Sequence, residues 1–255
     1  MVLELFAPFF VFALGVGAID HYIGDDDETS SEEEGEETEV VLVGTEADDI
    51  IIGTDADETI AGLAGDDILL AGAGNDIVLG GEGDDELELG AGNDVVDPTE
   101  ANAGDDAIDG GEGDDSVYDW LGSNTLSGGE GDDFLSAWDD IENDTPDNIS
   151  GDDGDDVLQA DDGDTAEGGA GTDSFQILYD EADDESVTIA DFDPETETIL
   201  IYVNEGLEID QLTDLEFAPG ENEEDTAILL DGVQLALVQG QSELNADQVV
   251  LSFFS

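Results

Sequence analysis

From Gly44 onward, apolar residues return at every ninth position. Read in nines, the chain runs GTEADDIII, GTDADETIA, GLAGDDILL, AGAGNDIVL, GGEGDDELE and LGAGNDVVD without a gap to Asp97. Three residues (Pro98, Thr99, Glu100) intervene, and the count resumes as ANAGDDAID, GGEGDDSVY, DWLGSNTLS and GGEGDDFLS. A five-residue interruption, Ala137 to Ile141, precedes ENDTPDNIS and GDDGDDVLQ. An irregular stretch, Ala160 to Glu167, then leads to a last unit, GGAGTDSFQ, from Gly168. The eighth positions are Ile51, Ile60, Leu69, Val78, Leu87, Val96, Ile108, Val117, Leu126, Leu135, Ile149, Leu158 and Phe175, all sizeable and apolar. The sixth position is Asp in every unit but two, where Glu58 and Asn124 stand.

This period predicts a coil. Glycine at positions one, two and four allows a tight six-residue loop, because it adopts backbone angles that a Cβ disfavours. The last three residues form a short strand whose middle side chain points to one side and its neighbours to the other. Two units return the chain to its start, so eighteen residues make one turn. Stacked turns pair strand on strand at about 4.8 Å, and the eighth-position side chains fill a narrow interior. The expected fold is an all-β parallel roll with two nonapeptides per turn.

Charge changes the picture. The chain has 255 residues, 74 of them Asp or Glu, no Lys or Arg, a single His and no Cys. Nucleic-acid binding is excluded, because no cation is available to displace counterions from phosphate. So are an arginine finger, a Schiff-base lysine, attraction to anionic lipid, disulfides and thiolate metal sites. Yet 39% of the residues are hydrophobic, too many for a disordered acidic tail. The roll places each position-six acid over its equivalent one turn away. Two carboxylates about 5 Å apart repel by roughly 3 kcal/mol at an effective dielectric near 20. A hard divalent cation between rungs, held by aspartate oxygens and backbone carbonyls, reverses the sign. Six to eight oxygen ligands in a flexible shell is calcium chemistry; magnesium demands a stricter octahedron.

The units GGEGDDELE, GGEGDDSVY and GGEGDDFLS resemble the repeat-in-toxin (RTX, haemolysin-type) calcium-binding nonapeptide. The resemblance covers roughly residues 44–176. It implies a right-handed parallel β-roll that is disordered without calcium, and a passenger of type I secretion whose signal lies at the C-terminus. The candidate metal ligands are Asp49, Asp67, Asp76, Asp85, Asp94, Asp106, Asp115, Asp133, Asp156 and Asp173. The loop glycines Gly80, Gly81, Gly83, Gly110, Gly111, Gly113, Gly128, Gly129 and Gly131 shape three of the corners. Alternation puts Asp49, Asp67, Asp85, Asp106, Asn124 and Asp147 on one edge, and Glu58, Asp76, Asp94, Asp115, Asp133, Asp156 and Asp173 on the other. Both insertions and the asparagine fall on the first edge, so weaker sites are expected there after Asp85. Calcium at tenfold excess over its dissociation constant adds about 1.4 kcal/mol per site, and eight such sites roughly 11 kcal/mol. That is comparable with a whole domain's stability.

The flanks read differently. Met1 to Ala18 is almost continuously apolar and sits at the lower edge of the length a membrane helix needs. It reads as a hydrophobic N-terminal helix serving as membrane anchor, as a signal, or as a cap on the core. The expected division is 1–24 hydrophobic segment, 25–43 acidic spacer, 44–176 β-roll, and 177–255 β-rich cap. The runs FQILY, SVTIA, TILIYV, DTAILL and VQLALV in the last part are strand-like, and a β-sandwich-like cap is one reading of them. IADFDPETETILIYV and the final VVLSFFS resemble the end of exported RTX proteins. No His-Glu-x-x-His motif is present, His21 lies beside the apolar segment, and no ordinary catalytic domain remains once the repeats are subtracted. The expected function is an extracellular calcium-binding protein, not an enzyme. The alternative is a membrane-anchored surface module stiffened by calcium. A third reading, general high-salt acidity, does not explain acids placed every nine residues.

Overall fold

The computed structural model describes residues 40–96, 103–138, 145–161, 163–179, 186–204, 215–220, 222–230, 232–242, 244 and 246–254. The apolar N-terminal segment, with the helix expected there, lies outside them. Among the described residues the one helical element is a single 3-10 turn, Ala246–Gln248, so no helix is long and apolar enough to cross a membrane. Everything else of regular structure is strand.

Two sheets share the work. The first has ten parallel strands in the order Val40–Val43, Glu58–Ala64, Ile77–Glu82, Val95–Val96, Ser116–Tyr118, Phe134–Ser136, Val157–Ala160, Ser174–Tyr179, Thr198–Asn204 and Val249–Phe254. The second runs from Ile50–Ile52 through Ile68–Ala73, Glu86–Ala91, Ala107–Glu112, Thr125–Glu130, Asn148–Asp153, Thr165–Glu167 and Val187–Ile189 to Val233–Val238. Consecutive strands in the repeat region alternate between the two sheets, as one nonapeptide per side requires.

Register is what makes the interior. In the first sheet Ile60 lies beside Val78, Val78 beside Val96, and Val96 beside Val117. In the second, Leu69, Leu87, Ile108, Leu126 and Ile149 form one column. Every eighth-position residue from Ile60 to Phe175 is buried, while Ile51, in the lowest rung, is half-covered. Burial fades at that end. Ile50 and Ile52, on either side of Ile51, remain 69% and 67% exposed.

The insertions do not disturb the stacking. The irregular stretch after Leu158 is itself a rung, one residue short: Ala166 pairs with Ile149 and is fully buried. Beyond the repeats the two sheets continue instead of giving way to a separate sandwich. Ile199 stacks on Phe175 and Val249 on Ile199 in the first sheet. Ile189 stacks on Ala166 and Val238 on Ile189 in the second. Only then does the pattern change. Thr226–Leu230 pairs antiparallel with Val233–Val238, through an irregularity at Ile228/Leu229, and Leu215–Pro219 pairs antiparallel with it in turn. Phe192 closes over Phe175 at a ring separation of 6.0 Å.

Candidate metal corners

The six-residue loops stack at the two edges, and each edge carries two hydrogen-bonded ladders. In the inner ladder a position-six aspartate takes the backbone N–H of the position-six residue one rung earlier. On the first edge Asp49 donates to Asp67, Asp67 to Asp85, and Asp85 to Asp106, at 2.7, 2.8 and 2.8 Å. Asp106 donates to Asn124 at 2.9 Å, Asn124 to Asp147, and Asp147 to Asp164 at 2.8 Å. On the second edge Glu58, Asp76, Asp94, Asp115 and Asp133 each donate to the next acid, ending with Asp156 to Asp173 at 3.0 Å. The separations are 18 residues in regular rungs, 21 and 23 across the insertions, and 17 at the end.

Only one carboxylate oxygen is used this way. The second oxygens of Asp67, Asp76, Asp85, Asp94, Asp106, Asp115, Asp133, Asp156 and Asp173 are buried and have no donor. A buried, unpaired carboxylate oxygen is costly. The lowest rungs differ. Asp49 turns its second oxygen to Thr45, whose N–H and hydroxyl donate at 2.6 and 2.8 Å. Thr54 does the same for Glu58, its N–H donating at 2.9 Å. Of the ten predicted aspartates, nine therefore have an oxygen waiting for a partner and Asp49 does not.

Position one shows where those oxygens point. A Cβ added at Gly110 would lie 2.6 Å from Asp115 Oδ2 and against the carbonyl oxygen of Gly128 in the next rung. One at Gly128 would meet Asp133 Oδ2, with the Gly151 carbonyl at 2.8 Å. At Gly62 it would meet Asp67 Oδ2 and the carbonyl of Gly80. Where position one is glycine, these corners thus gather an unpaired carboxylate oxygen and a carbonyl from the adjacent rung in a space a side chain would fill. Positions two and four serve the turn. Gly81 and Gly83 have φ of +122° and +132°, and the equivalents Gly111, Gly113, Gly129 and Gly131 share this left-handed region. Two non-glycine residues at position two hold positive φ as well: Leu63 at +87° and Asp152 at +71°.

The outer ladder went unread in the sequence. Here the position-five side chain accepts from the rung above, opposite in direction to the inner ladder. Asp84 accepts from Asp105 N at 3.0 Å, Asp105 from Ser123 N at 3.0 Å, Asp114 from Asp132 N at 3.0 Å, and Asp132 from Asp155 N at 2.9 Å. The signal was present: Asp or Asn fills position five in ten of the thirteen units. Two more acids belong to the inner ladders without belonging to a regular unit. Asp164 closes the first edge. Glu197, buried against Asp173, extends the second, and its carboxylate takes Asp193 N–H at 2.7 Å.

Electrostatics follow from this packing. Burial pushes Asp76 up to about 6 and Asp85, Asp115 and Asp156 up to about 7, against the lowering effect of the N–H each accepts. Neighbouring acids of the same ladder add to the rise. Burial likewise raises Glu197 to about 7, with Asp173 beside it. No Lys or Arg exists in the chain to offset any of them. Among the described residues no three His, Cys, Asp or Glu side chains converge as a cluster. The donor set is instead carboxylate plus backbone carbonyl, all hard oxygen, which fits Ca2+. Of the two tryptophans, Trp138 packs edge-on against Tyr202 and Trp120, 40% exposed, against Tyr118.

Among solved structures the chain is similar to the extracellular lipase LipA from Serratia marcescens, at 17% identity over 88% of this chain and 41% of that one, with a TM-score of 0.24. It is also similar to the AlgE6R3 subunit of the Azotobacter vinelandii mannuronan C5-epimerase, at 20% identity over 84% and 83% of the two chains and a TM-score of 0.21. The chain thus spans well under half the length of the lipase. No curated protein matches it. A family model described as the RTX calcium-binding nonapeptide repeat (4 copies) matches residues 41–69, 62–96 and 100–135. Within residues 41–96 and 100–135 the stacked units of this chain are thus RTX calcium-binding nonapeptide repeats, and the cofactor of such repeats is Ca2+ in several copies.

Proposed function

We propose that the chain is an extracellular calcium-binding protein whose roll folds when Ca2+ enters the corners, and that it has no catalytic role. The ligands are the second oxygens of Asp67, Asp76, Asp85, Asp94, Asp106, Asp115, Asp133, Asp156 and Asp173, together with carbonyls of the adjoining loops. The observation that carries this reading is the set of nine buried carboxylate oxygens without a donor, in a chain with no Lys or Arg. Each such oxygen is a cost in a calcium-free fold and a ligand in a calcium-bound one. Asp49 is a weaker candidate, because Thr45 already satisfies it.

Residues 44–176 form the calcium-binding part and 177–255 its β-rich end. Export follows the type I route, with the C-terminal segment as signal. The apolar run from Met1 to Ala18 favours a second reading, a surface module anchored by residues 1–24 with 25–43 as spacer. Fractionation of expressing cells separates the two: recovery in spent medium supports the secreted form, and retention with membranes the anchored one. Folding is tested by far-UV circular dichroism of the full chain during calcium titration, with magnesium as control. A β signal that grows with calcium alone is expected; equal growth with magnesium overturns the assignment.

A further inference from the structure

The unit Asp119–Ser127 departs from the repeat at two places at once. Its position six is Asn124, the only asparagine there, and its position one is Asp119, the only aspartate there among the thirteen units. Position one is glycine in eight of them.

The structure relates the two changes. At Gly44, Gly62, Gly110, Gly128, Gly151 and Gly168 an added Cβ would run into the second oxygen of that unit's own position-six aspartate. A side chain at position one therefore starts against that oxygen; the apolar Ala71 and Leu89 turn into the core from there, whereas the carboxyl of Asp119 lies beside that of Asp106. Asp119 is 1% exposed, and neither of its oxygens makes a well-formed hydrogen bond, the Leu121 N–H and the Asp106 carboxyl being its polar neighbours. Asn124 is fully buried and keeps its place in the inner ladder, its Oδ1 accepting Asp106 N–H at 2.9 Å. Its remaining atom is a nitrogen, which repels a cation. The second oxygen of Asp106, in the rung below, is unpaired as well, and the Asp106 carboxyl lies beside that of Asp119. The rung thus retains one buried carboxylate in the corner, carried on a different residue. With no Lys or Arg in the chain, only a proton or a bound cation can neutralise the Asp106–Asp119 pair.

We propose that this corner holds a calcium ion whose ligand from its own rung is Asp119, standing in for the aspartate that Asn124 replaces. The inference rests on the calcium reading above. It makes the first edge competent through the asparagine rung, where the sequence pattern alone suggested a lost site.

The test counts calcium ions bound per full-length chain by equilibrium dialysis and metal analysis, for the parent, Asp119→Gly, Asp119→Asn and the double variant Asp119→Gly/Asn124→Asp. The single variants are expected to bind one ion fewer, and the double variant, which restores the glycine-aspartate pattern, to recover it. A second readout is terbium emission sensitised by Trp120, one residue away, which should fall in Asp119→Asn while circular dichroism in calcium is kept. An unchanged ion count in both single variants overturns the proposal, as does a double variant that does not regain the ion. A parent chain that binds no calcium overturns the calcium reading itself, and the two failures are thereby distinct. Should Asp119→Gly fail to fold, recovery of both fold and count in the double variant supports the exchange of roles, and recovery of the fold without the ion overturns it.

Discussion

Removing calcium at neutral pH should unfold the roll, and mild acid should restore it without any metal. Along the second edge Glu58, Asp76, Asp94, Asp115, Asp133, Asp156 and Asp173 follow one another rung by rung. At a strand spacing of about 4.8 Å, each ionised neighbour pair repels by about 3.5 kcal/mol at an effective dielectric near 20. Six neighbour pairs amount to about 21 kcal/mol, more than the roughly 5–15 kcal/mol that holds an ordinary domain together. Protons relieve this in the same place as calcium does. Asp76 is raised to about 6 and Asp85, Asp115 and Asp156 to about 7, so the folded chain holds more protons than the unfolded one between about pH 4 and 7. Stability of the calcium-free roll is therefore greatest below the ordinary carboxylate range and is lost as pH rises through 6 to 7. In chelator, circular dichroism melts at pH 5.5, above the sequence pI of about 4.1, should show a cooperative β transition that is absent at pH 7.5. A calcium-free chain that melts at the same or a higher temperature at pH 7.5 would refute the reasoning.

Two further outcomes follow from the corners. Leu63→Gly should stabilise the calcium-loaded protein by about 1 kcal/mol in chemical denaturation, because Leu63 holds φ at +87° and is 41% exposed, so strain is released with little burial lost. In the outer ladder Asp114→Ala should cost about 1 kcal/mol by the same measurement, since Asp132 N–H loses its acceptor, whereas Asp114→Asn keeps an acceptor oxygen and should be near neutral.

The columns of the interior were readable from spacing alone, because position eight points inward in every unit; position one adds to the core only where it is not glycine, as at Ala71 and Leu89. The same spacing placed Asp76 above Glu58 and Asp106 above Asp85, as the inner ladders have it. Reading failed where spacing broke. Asp164 and Ala166 form a rung one residue short, so a strict count of nine passes over them, although backbone pairing with Ile149 tolerates a shorter loop. Glu197 and Ile199 continue the edge and the column through residues with no glycine signature, since a loop away from the repeats can close by other turns. Position five was overlooked for a different reason. Its residues vary among Asp, Asn, Ser and Thr, with Pro146 once, because the outer ladder lies in water, where an oxygen acceptor is a weaker demand than in a buried corner.

Successive turns take 18, 21, 23 or 17 residues, yet the backbone ladders pass through all of them. Distance along the axis is therefore decoupled from the amount of chain consumed. Ten strands span about 43 Å whatever lies between them. Turns of 21 and 23 residues thus use more chain than turns of 18 and add nothing to the height. A turn that tolerates added length in this way is a natural place to graft a foreign peptide while the pitch stays constant.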